Sequence, residues 1–179
     1  HVLEVLRQPL EDRQITISRS RFTITYPSSF MLIASMNPSP TGYFTAPGQG
    51  GFKTPSNDMR RYMSRISGPL LDRIDIHLEV NPVPFDEIAS GRQGEPSSDI
   101  RKRVVAARAL QLKRFGAESG VHSNAQMGSG LIRKYCTLKP GPRSLLKRAM
   151  ERLELSARAY DRILKVTRTI ADLDRAAVL

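Results

Sequence analysis

Arg158 lies where the sequence predicts the start of the last helix, and that position has chemical meaning. Ser156 is a preferred N-cap residue, which puts Arg158 at the second helical position. A cation there opposes the helix dipole, whereas a phosphate held by the free N–H groups and the guanidinium would account for it. A solvent-exposed arginine paired with Asp161 or Asp172 also accounts for it, so both interpretations stay open.

Asn37 and Arg73 each border a predicted strand. Asn37 closes the apolar run Phe30–Met36, and polar side chains at the carboxyl end of a central strand face the ligand crevice in open α/β sheets. The competing interpretation is that Asn-Pro simply begins a turn. Arg73 follows a Gly-Pro turn, where it would either meet a neighbouring subunit's phosphate or pair with Asp72 or Asp75.

Several kinds of chemistry have no support in the sequence. The phosphate loop G-x-x-x-x-G-K-[ST] is absent, and no apolar strand ends in the Asp-Glu pair that would hold magnesium. The nucleophile elbow G-x-S-x-G is absent as well, and Cys136 with three scattered histidines gives no zinc spacing. We therefore expect no metal site, and no nucleotide hydrolysis by this chain alone.

The length of the longest apolar stretch indicates whether the chain could cross a membrane. Phe30–Met36 is far shorter than the 18 or more residues that a membrane span needs. The first residues turn charged at Glu4, which is not typical of a secretory leader. The sequence predicts a cytoplasmic protein without a membrane partner.

The positive charge is confined to the second half of the chain. Residues 1–90 carry 9 basic and 9 acidic side chains, whereas residues 91–179 carry 19 and 8, which accounts for the whole net charge of +11. A surface of that charge favours polyanions such as nucleic acid. A solvated helix surface rich in arginine is the alternative.

Short elements with period-two patterns make up the first half. Residues 2–8 resemble a helix stopped by Pro9, and Gln14–Ser18 with Phe22–Tyr26 predict a hairpin that has a basic tip. Strands are predicted at Phe30–Met36 and Ile74–Val80, and a helix is predicted at Asp58–Ile66. Four prolines and four glycines in residues 38–57 predict a long loop.

From Asp99 onward the patterns indicate only helices. They are predicted near residues 99–115, 130–136, 142–153 and 157–173. The apolar stripes proposed for two of them are Ile100, Val104 and Ala107 in the first and Leu145, Ala149 and Leu153 in the third.

Five motifs in order closely resemble the magnesium-chelatase-like AAA+ ATPases of the ComM/YifB family. They are VLEVLRQPLED at residues 2–12, TISR at 16–19, MNP at 36–38, SGPLLDRID at 67–75 and LSARAY at 155–160. The resemblance covers nearly the whole chain and implies a C-terminal fragment whose phosphate loop and magnesium motif lie upstream. The implied fold is α/β for residues 1–85, the end of the AAA+ core with a hairpin insertion. A linker would follow over 86–98, then an all-α helical lid over 99–179.

The resemblance also implies roles for single residues. Asn37 resembles the sensor 1 polar residue, Arg73 the arginine finger acting in trans, and Arg158 the ATP-binding sensor 2 arginine. Arg19 and Arg21 would lie at the tip of the pre-sensor 1 hairpin and contact DNA. Relatives with cysteines after the Asn-Pro differ from this chain, so a metal or redox role for that loop has no support.

The implied activity is that of an ATP-dependent ring motor, six subunits being expected, that remodels or branch-migrates DNA and serves competence. ATP and Mg²⁺ would bind the full-length protein, and none is expected on this fragment. Two alternatives stay open: an ATPase acting on a protein client, as chelatase or chaperone-like motors do, and a non-catalytic basic module that binds nucleic acid.

Overall fold

A computed structural model describes residues 2–37, 56–80, 83–91, 93–116 and 120–179. These residues form two compact units, one ending at His77 and the other beginning at Leu78. Within the described ranges, no helix is long and apolar enough to cross a membrane. Most of the predicted loop at residues 38–57 lies outside the described residues, and its last two positions belong to a helix.

The first unit consists of short elements. In chain order they are a 3-10 helix at Val2–Leu6, α1 at Arg7–Asp12, β1 at Gln14–Arg19, β2 at Phe22–Pro27, α2 at Ser56–Met63 and α3 at Gly68–Leu71. The predicted stop at Pro9 is wrong, because Pro9 is buried in the first turn of α1. N–H groups of a first turn have no partner within the helix, so proline costs nothing there.

The predicted hairpin is confirmed. Strands β1 and β2 pair antiparallel, with Ile17 opposite Ile24 and Arg19 opposite Phe22, so Ser20 and Arg21 form a two-residue turn. Both faces of the hairpin are exposed. On the polar face, Thr16 and Thr25 share a hydrogen bond of 3.0 Å between their hydroxyls. Such cross-strand pairs stabilise a hairpin that has no third strand beside it among the described residues.

The two other predicted strands are wrong. Among the described residues only β1 and β2 form a sheet, and Phe30–Met36 and Ile74–Val80 have no ladder partner. Their apolar side chains are open to solvent, as Ile33 at 82% and Leu78 at 84% exposure illustrate. A buried parallel strand requires neighbours on both edges, and the described segments supply none.

The second unit is helical, as the sequence predicts. Its α-helices are α4 at Phe85–Ala89, α5 at Ser97–Phe115, α6 at Ser129–Tyr135, α7 at Pro140–Arg152 and α8 at Ala157–Leu173, and a 3-10 turn covers Asn124–Gln126. Helix α4 lies at the start of the predicted linker. The pattern was more accurate for the bounds of α5 to α8 than for their buried faces.

An apolar core joins α5, α6 and α8. Phe115, Met127, Ile132, Cys136 and Leu164 are buried together, and the rings of Phe115 and Tyr135 meet edge to face at 5.7 Å. Burial raises the pKa of the Cys136 thiol, so this cysteine is a packing residue and not a nucleophile.

The predicted apolar stripe of α5 is confirmed only at Ala107, and that of α7 is wrong at Leu145 and Leu153. Helix α5 buries Ala107, Gln111 and Phe115, while Ile100 and Val104 stay partly exposed. Leu145 of α7 is 62% exposed, and the neighbouring Leu146 packs against the core instead. In α5 the predicted face is the right one, because Ala107 and Gln111 lie on the same side of the helix as Ile100 and Val104, but only the C-terminal half of that face is buried. In α7 the contact face lies one residue away from the prediction, at Leu146.

A buried polar network lies beside this core and is centred on Asp172. The Asp172 carboxylate is 1% exposed and accepts hydrogen bonds from Arg114 at 2.5 and 2.7 Å. It also accepts from Asn124 at 2.8 Å and from Arg168 Nε at 3.2 Å. Burial opposes its ionisation, but these bonds, first that from Arg114, outweigh it and lower the pKa of Asp172.

The same network holds the end of the chain. Arg168 donates to the carbonyl oxygen of Ala176 at 2.5 Å and to that of Ala177 at 3.2 Å. The residues after α8 are therefore fixed to the helix by a buried guanidinium.

Candidate functional site

Arg73 is held by two acceptors in the first unit. Its Nη2 donates to the Glu11 carboxylate and its Nη1 to the carbonyl oxygen of Pro69 at 2.5 Å. The side chain is only 14% exposed, and Nε is buried without a hydrogen-bond partner among the described residues. Arg73 therefore lies against its own chain in this structure.

The elements around Arg73 explain why it lies there. Ser67 caps α3, accepting a hydrogen bond from the backbone N–H of Leu70 at 3.2 Å, and Leu70 is buried. The Ser67 hydroxyl also binds the Glu4 carboxylate, and this bond, helped by Arg7, lowers the pKa of Glu4. The beginning of the chain and α3 are thus joined, which brings Glu11 within reach of Arg73.

The expected ion pair of Arg73 with Asp72 or Asp75 is wrong. The partner is Glu11, which lies 62 positions away in the sequence. An arginine side chain is long enough to bind a carboxylate on a different element as readily as one beside it in the sequence. The nearby Asp72 and Asp75 therefore do not indicate which carboxylate Arg73 binds. Guanidinium groups bind carboxylate and phosphate oxygens alike, so the single Nη2 contact with Glu11 shows Arg73 binding an oxyanion of its own chain.

Asn37 is placed by its backbone. The Tyr62 hydroxyl of α2 donates to the Asn37 carbonyl oxygen at 2.9 Å, and the residue as a whole is exposed. No strand ends at Asn37, so nothing in the structure places its side chain at the carboxyl end of a sheet beside a ligand crevice. The sensor assignment of Asn37 rests on the motif alone.

Arg19 and Arg21 lie at the end of the hairpin. Arg19 is the last residue of β1, Arg21 is in the turn, and both are exposed. Two cations at the tip of a narrow, solvated projection can reach a polyanion without any rearrangement of the chain. The hairpin thus presents the chemistry predicted for it, while its ligand stays a prediction.

Arg158 occupies the predicted position in the second unit. Helix α8 begins at Ala157, and the Ser156 hydroxyl accepts from the backbone N–H of Ala159 at 3.2 Å. Arg158 is exposed at the second helical position. Its proposed pairing with Asp172 is wrong, because Asp172 is buried with Arg114 and Arg168 about four turns, roughly 21 Å, further along α8.

The candidate residues are therefore divided between the two units. Arg73, Asn37 and the hairpin arginines belong to the first, and Arg158 belongs to the second. Glu11 is the neighbour that sequence reasoning missed. As for ATP and Mg²⁺, the exposed guanidinium at the start of α8 and the oxyanion contact of Arg73 suit phosphate groups, but the sequence holds no loop to surround them.

Two family descriptions match consecutive parts of the chain. Residues 1–88 match Magnesium chelatase, subunit ChlI, and residues 94–179 match Magnesium chelatase, subunit ChlI C-terminal. The matches border on residues 89–93, near the end of α4.

Individual relatives cover nearly all of this chain. It is 43% identical to the Competence protein ComM of Haemophilus influenzae over 173 residues, which are 96% of this chain and 32% of that protein. It is 43% identical to YifB of Escherichia coli over 179 residues, or 99% and 34%. An uncharacterized protein of Mycobacterium tuberculosis is 34% identical over 171 residues, or 96% and 33%. The chain spans about a third of the length of these relatives, and it belongs to the magnesium-chelatase-like family of ComM and YifB.

Proposed function

We propose that the protein containing this chain is an ATP-driven AAA+ ring motor, six subunits to the ring, that remodels branched DNA. The observation that carries the proposal is family membership with a competence protein, reached through two consecutive family matches. The basic excess of residues 91–179 and the exposed arginines of the hairpin tip support DNA as the substrate.

Within that motor, residues 1–85 would form the end of the nucleotide-binding core, 86–98 a linker and 99–179 the lid. Arg73 would act in trans as an arginine finger on the neighbouring subunit's ATP, a role worth about 10³ to 10⁵ in rate in nucleotide hydrolases. To reach that phosphate the guanidinium must leave Glu11 or share it, so Glu11 sets its resting position.

Arg158 and Asn37 complete the proposed set. Arg158, exposed at the start of α8, would contact the phosphates bound by its own subunit and couple their loss to lid movement. Asn37 would orient the attacking water. Bound Mg²⁺ would neutralise phosphate charge, and the residues that hold it and the phosphate loop are not in this sequence.

The test is ATP hydrolysis by the full-length protein with and without a four-way DNA junction. Strong stimulation by the junction, beyond that given by a linear duplex of the same length, is the expected result. ATP turnover that no DNA changes would overturn the proposal and favour an ATPase that acts on a protein client. DNA binding without any ATP turnover would instead favour the non-catalytic basic module.

The hairpin tip gives a second, independent test. The double variant Arg19→Ala, Arg21→Ala should weaken junction binding. Its log affinity should also fall less steeply with log salt concentration, by about 2 in the slope, since each lost phosphate contact removes about 0.9. The matched control is Arg60→Ala with Arg61→Ala, which removes the same charge from exposed positions of α2. Equal salt slopes for the two double variants would show that the hairpin arginines do not contact DNA.

A further inference from the structure

An open groove lies between α7 and the first turns of α8, with a volume of about 680 Å³. Three half-buried apolar side chains line it: Leu138, Leu146 and Met150. Exposed Arg143 and Lys147 also line it, one turn apart on α7, and so does Tyr160 of α8. Apolar surface, cations and an aromatic ring therefore meet in one place.

The charge of α7 favours an anion in this groove. Residues 139–152 contain five basic side chains and one acidic one. Arg143 makes no side-chain hydrogen bond or ion pair with any other described residue. The one carboxylate, Glu151, lies 3.8 Å from Lys147, and both are more than 60% exposed, so this pair holds Lys147 only weakly.

The Tyr160 ring narrows the class of anion. Tyr160 is 40% exposed, and its hydroxyl bonds to no other residue in the described part of the chain. Proteins that bind single strands hold unpaired bases on aromatic rings that lie beside a basic track for the phosphates. A duplex keeps its bases inside the stack and offers only phosphates to such a groove.

We propose that the α7–α8 groove binds single-stranded DNA, with a base stacked on Tyr160 and the adjoining phosphates on Arg143 and Lys147. This inference rests on the proposed function and adds a strand-binding site in the helical unit to the hairpin contact in the first unit. A motor that separates or exchanges strands needs a surface that distinguishes an unpaired strand from a duplex.

The test uses this 179-residue chain and a fluorescein-labelled oligothymidine of about 20 nucleotides, followed by fluorescence anisotropy. Arg143→Glu with Lys147→Glu should weaken binding at least about tenfold. The matched control, Arg101→Glu with Arg108→Glu, changes the charge equally at exposed positions of α5 and should cost less than about threefold. Circular dichroism of each variant checks that the helices are intact.

Tyr160 separates stacking from charge. Tyr160→Phe should bind the oligothymidine as the parent chain does, whereas Tyr160→Ala should lose about tenfold, the range expected for one stacked base. Affinity for a duplex of equal length should be almost unchanged in both. A loss that is equal for single strand and duplex, or equal in the groove and control variants, would overturn the proposal.

Glu151 supplies a test of opposite sign. Glu151→Gln removes the only carboxylate of α7 and leaves Lys147 unpaired, so oligothymidine binding should tighten about two- to threefold. Unchanged or weaker binding would count against phosphates at Lys147.

If the groove variants match their control while junction DNA still stimulates the full-length ATPase, this inference fails and the proposed motor stands. If the groove variants lose single-strand binding selectively while DNA leaves turnover unchanged, the motor fails and the binding site stands.

Discussion

The two units of this chain use arginine in contrasting ways. In the second unit the half-buried Arg114 and the buried Arg168 bind a carboxylate that is 1% exposed, and Arg168 also holds the end of the chain. In the first unit Arg73 makes a single ion pair with a carboxylate that is itself 41% exposed, and its Nε has no partner in the described part. A pair of the first kind stabilises a fold, whereas one of the second kind can open to accept another oxyanion.

The two units also differ in how well their apolar residues are buried. The helical unit has a continuous core around Phe115 and Leu164, while the first unit leaves Ile33 and other strand-like residues exposed. A helix satisfies its own backbone, but a strand cannot. We therefore expect perturbations of the second unit to be costly and those of the first to be mild.

The largest expected effect is the loss of the Asp172 charge. Asp172→Asn would leave the buried Arg168 and the half-buried Arg114 without their counter-charge, and breaking a buried pair in this way typically costs about 3–5 kcal/mol. Urea denaturation followed by helical circular dichroism measures it. The exposed Asp174→Asn, two positions away, should change the free energy of unfolding by less than about 0.5 kcal/mol. Similar losses of unfolding free energy in the two variants would contradict a stabilising role for the buried network.

Acidification should weaken the same network by a smaller amount. The pKa of Asp172 is lowered in the folded chain, so its contribution to stability is fully present above the unfolded pKa of about 3.9 and is lost as the pH falls through the lower folded pKa. The stability difference between the parent chain and Asp172→Asn should therefore shrink below about pH 4, as urea midpoints at a series of pH values would report. A difference that stays constant down to pH 2 would exclude Asp172 as the titrating group.

The corresponding change in the first unit should have the smallest effect. Glu11→Gln removes the ionic partner of Arg73 but leaves the Pro69 carbonyl, and solvent at Glu11 limits the loss to about 1 kcal/mol. Hydrogen exchange of peptides that cover residues 2–12 measures it locally. Asp12→Asn, an exposed neighbour, is the control. A loss as large as that of Asp172→Asn would make the two units alike.

Local patterns in the sequence predicted what depends on local physics. The N-cap at Ser156, the existence of the hairpin and the extents of α5 to α8 follow from capping, strand alternation and helical periodicity. The register was not predicted, since Arg19 pairs with Phe22 and the tip has two residues where the pattern indicated three. Arg158 and the hairpin arginines were located correctly for the same reason. Their ligands are not a property of local sequence and rest on the family.

Features that depend on distant residues were not predictable in this way. The Glu11–Arg73 contact joins positions 62 apart, and the Arg114–Asp172 contact joins positions 58 apart. The strands at Phe30–Met36 and Ile74–Val80 were wrong because apolar content indicates burial but cannot supply a pairing partner. Gln111 shows the converse: a polar residue is buried in α5 because its carbonyl oxygen accepts the backbone N–H of Asn124.

The central claim, a ring in which Arg73 completes a neighbour's ATP site, is tested most directly by mixing full-length subunits. Parent protein is combined with Arg73→Ala protein at a constant total concentration, and junction-stimulated ATP turnover is measured, with nucleotide affinity as a check on folding. A finger in trans predicts loss of turnover in the pure variant with ATP binding retained. It also predicts that turnover falls out of proportion to the share of Arg73→Ala subunits, whereas mixtures with Arg65→Ala, which changes an exposed arginine, keep the parent turnover at every ratio. Full turnover by pure Arg73→Ala protein would contradict the account.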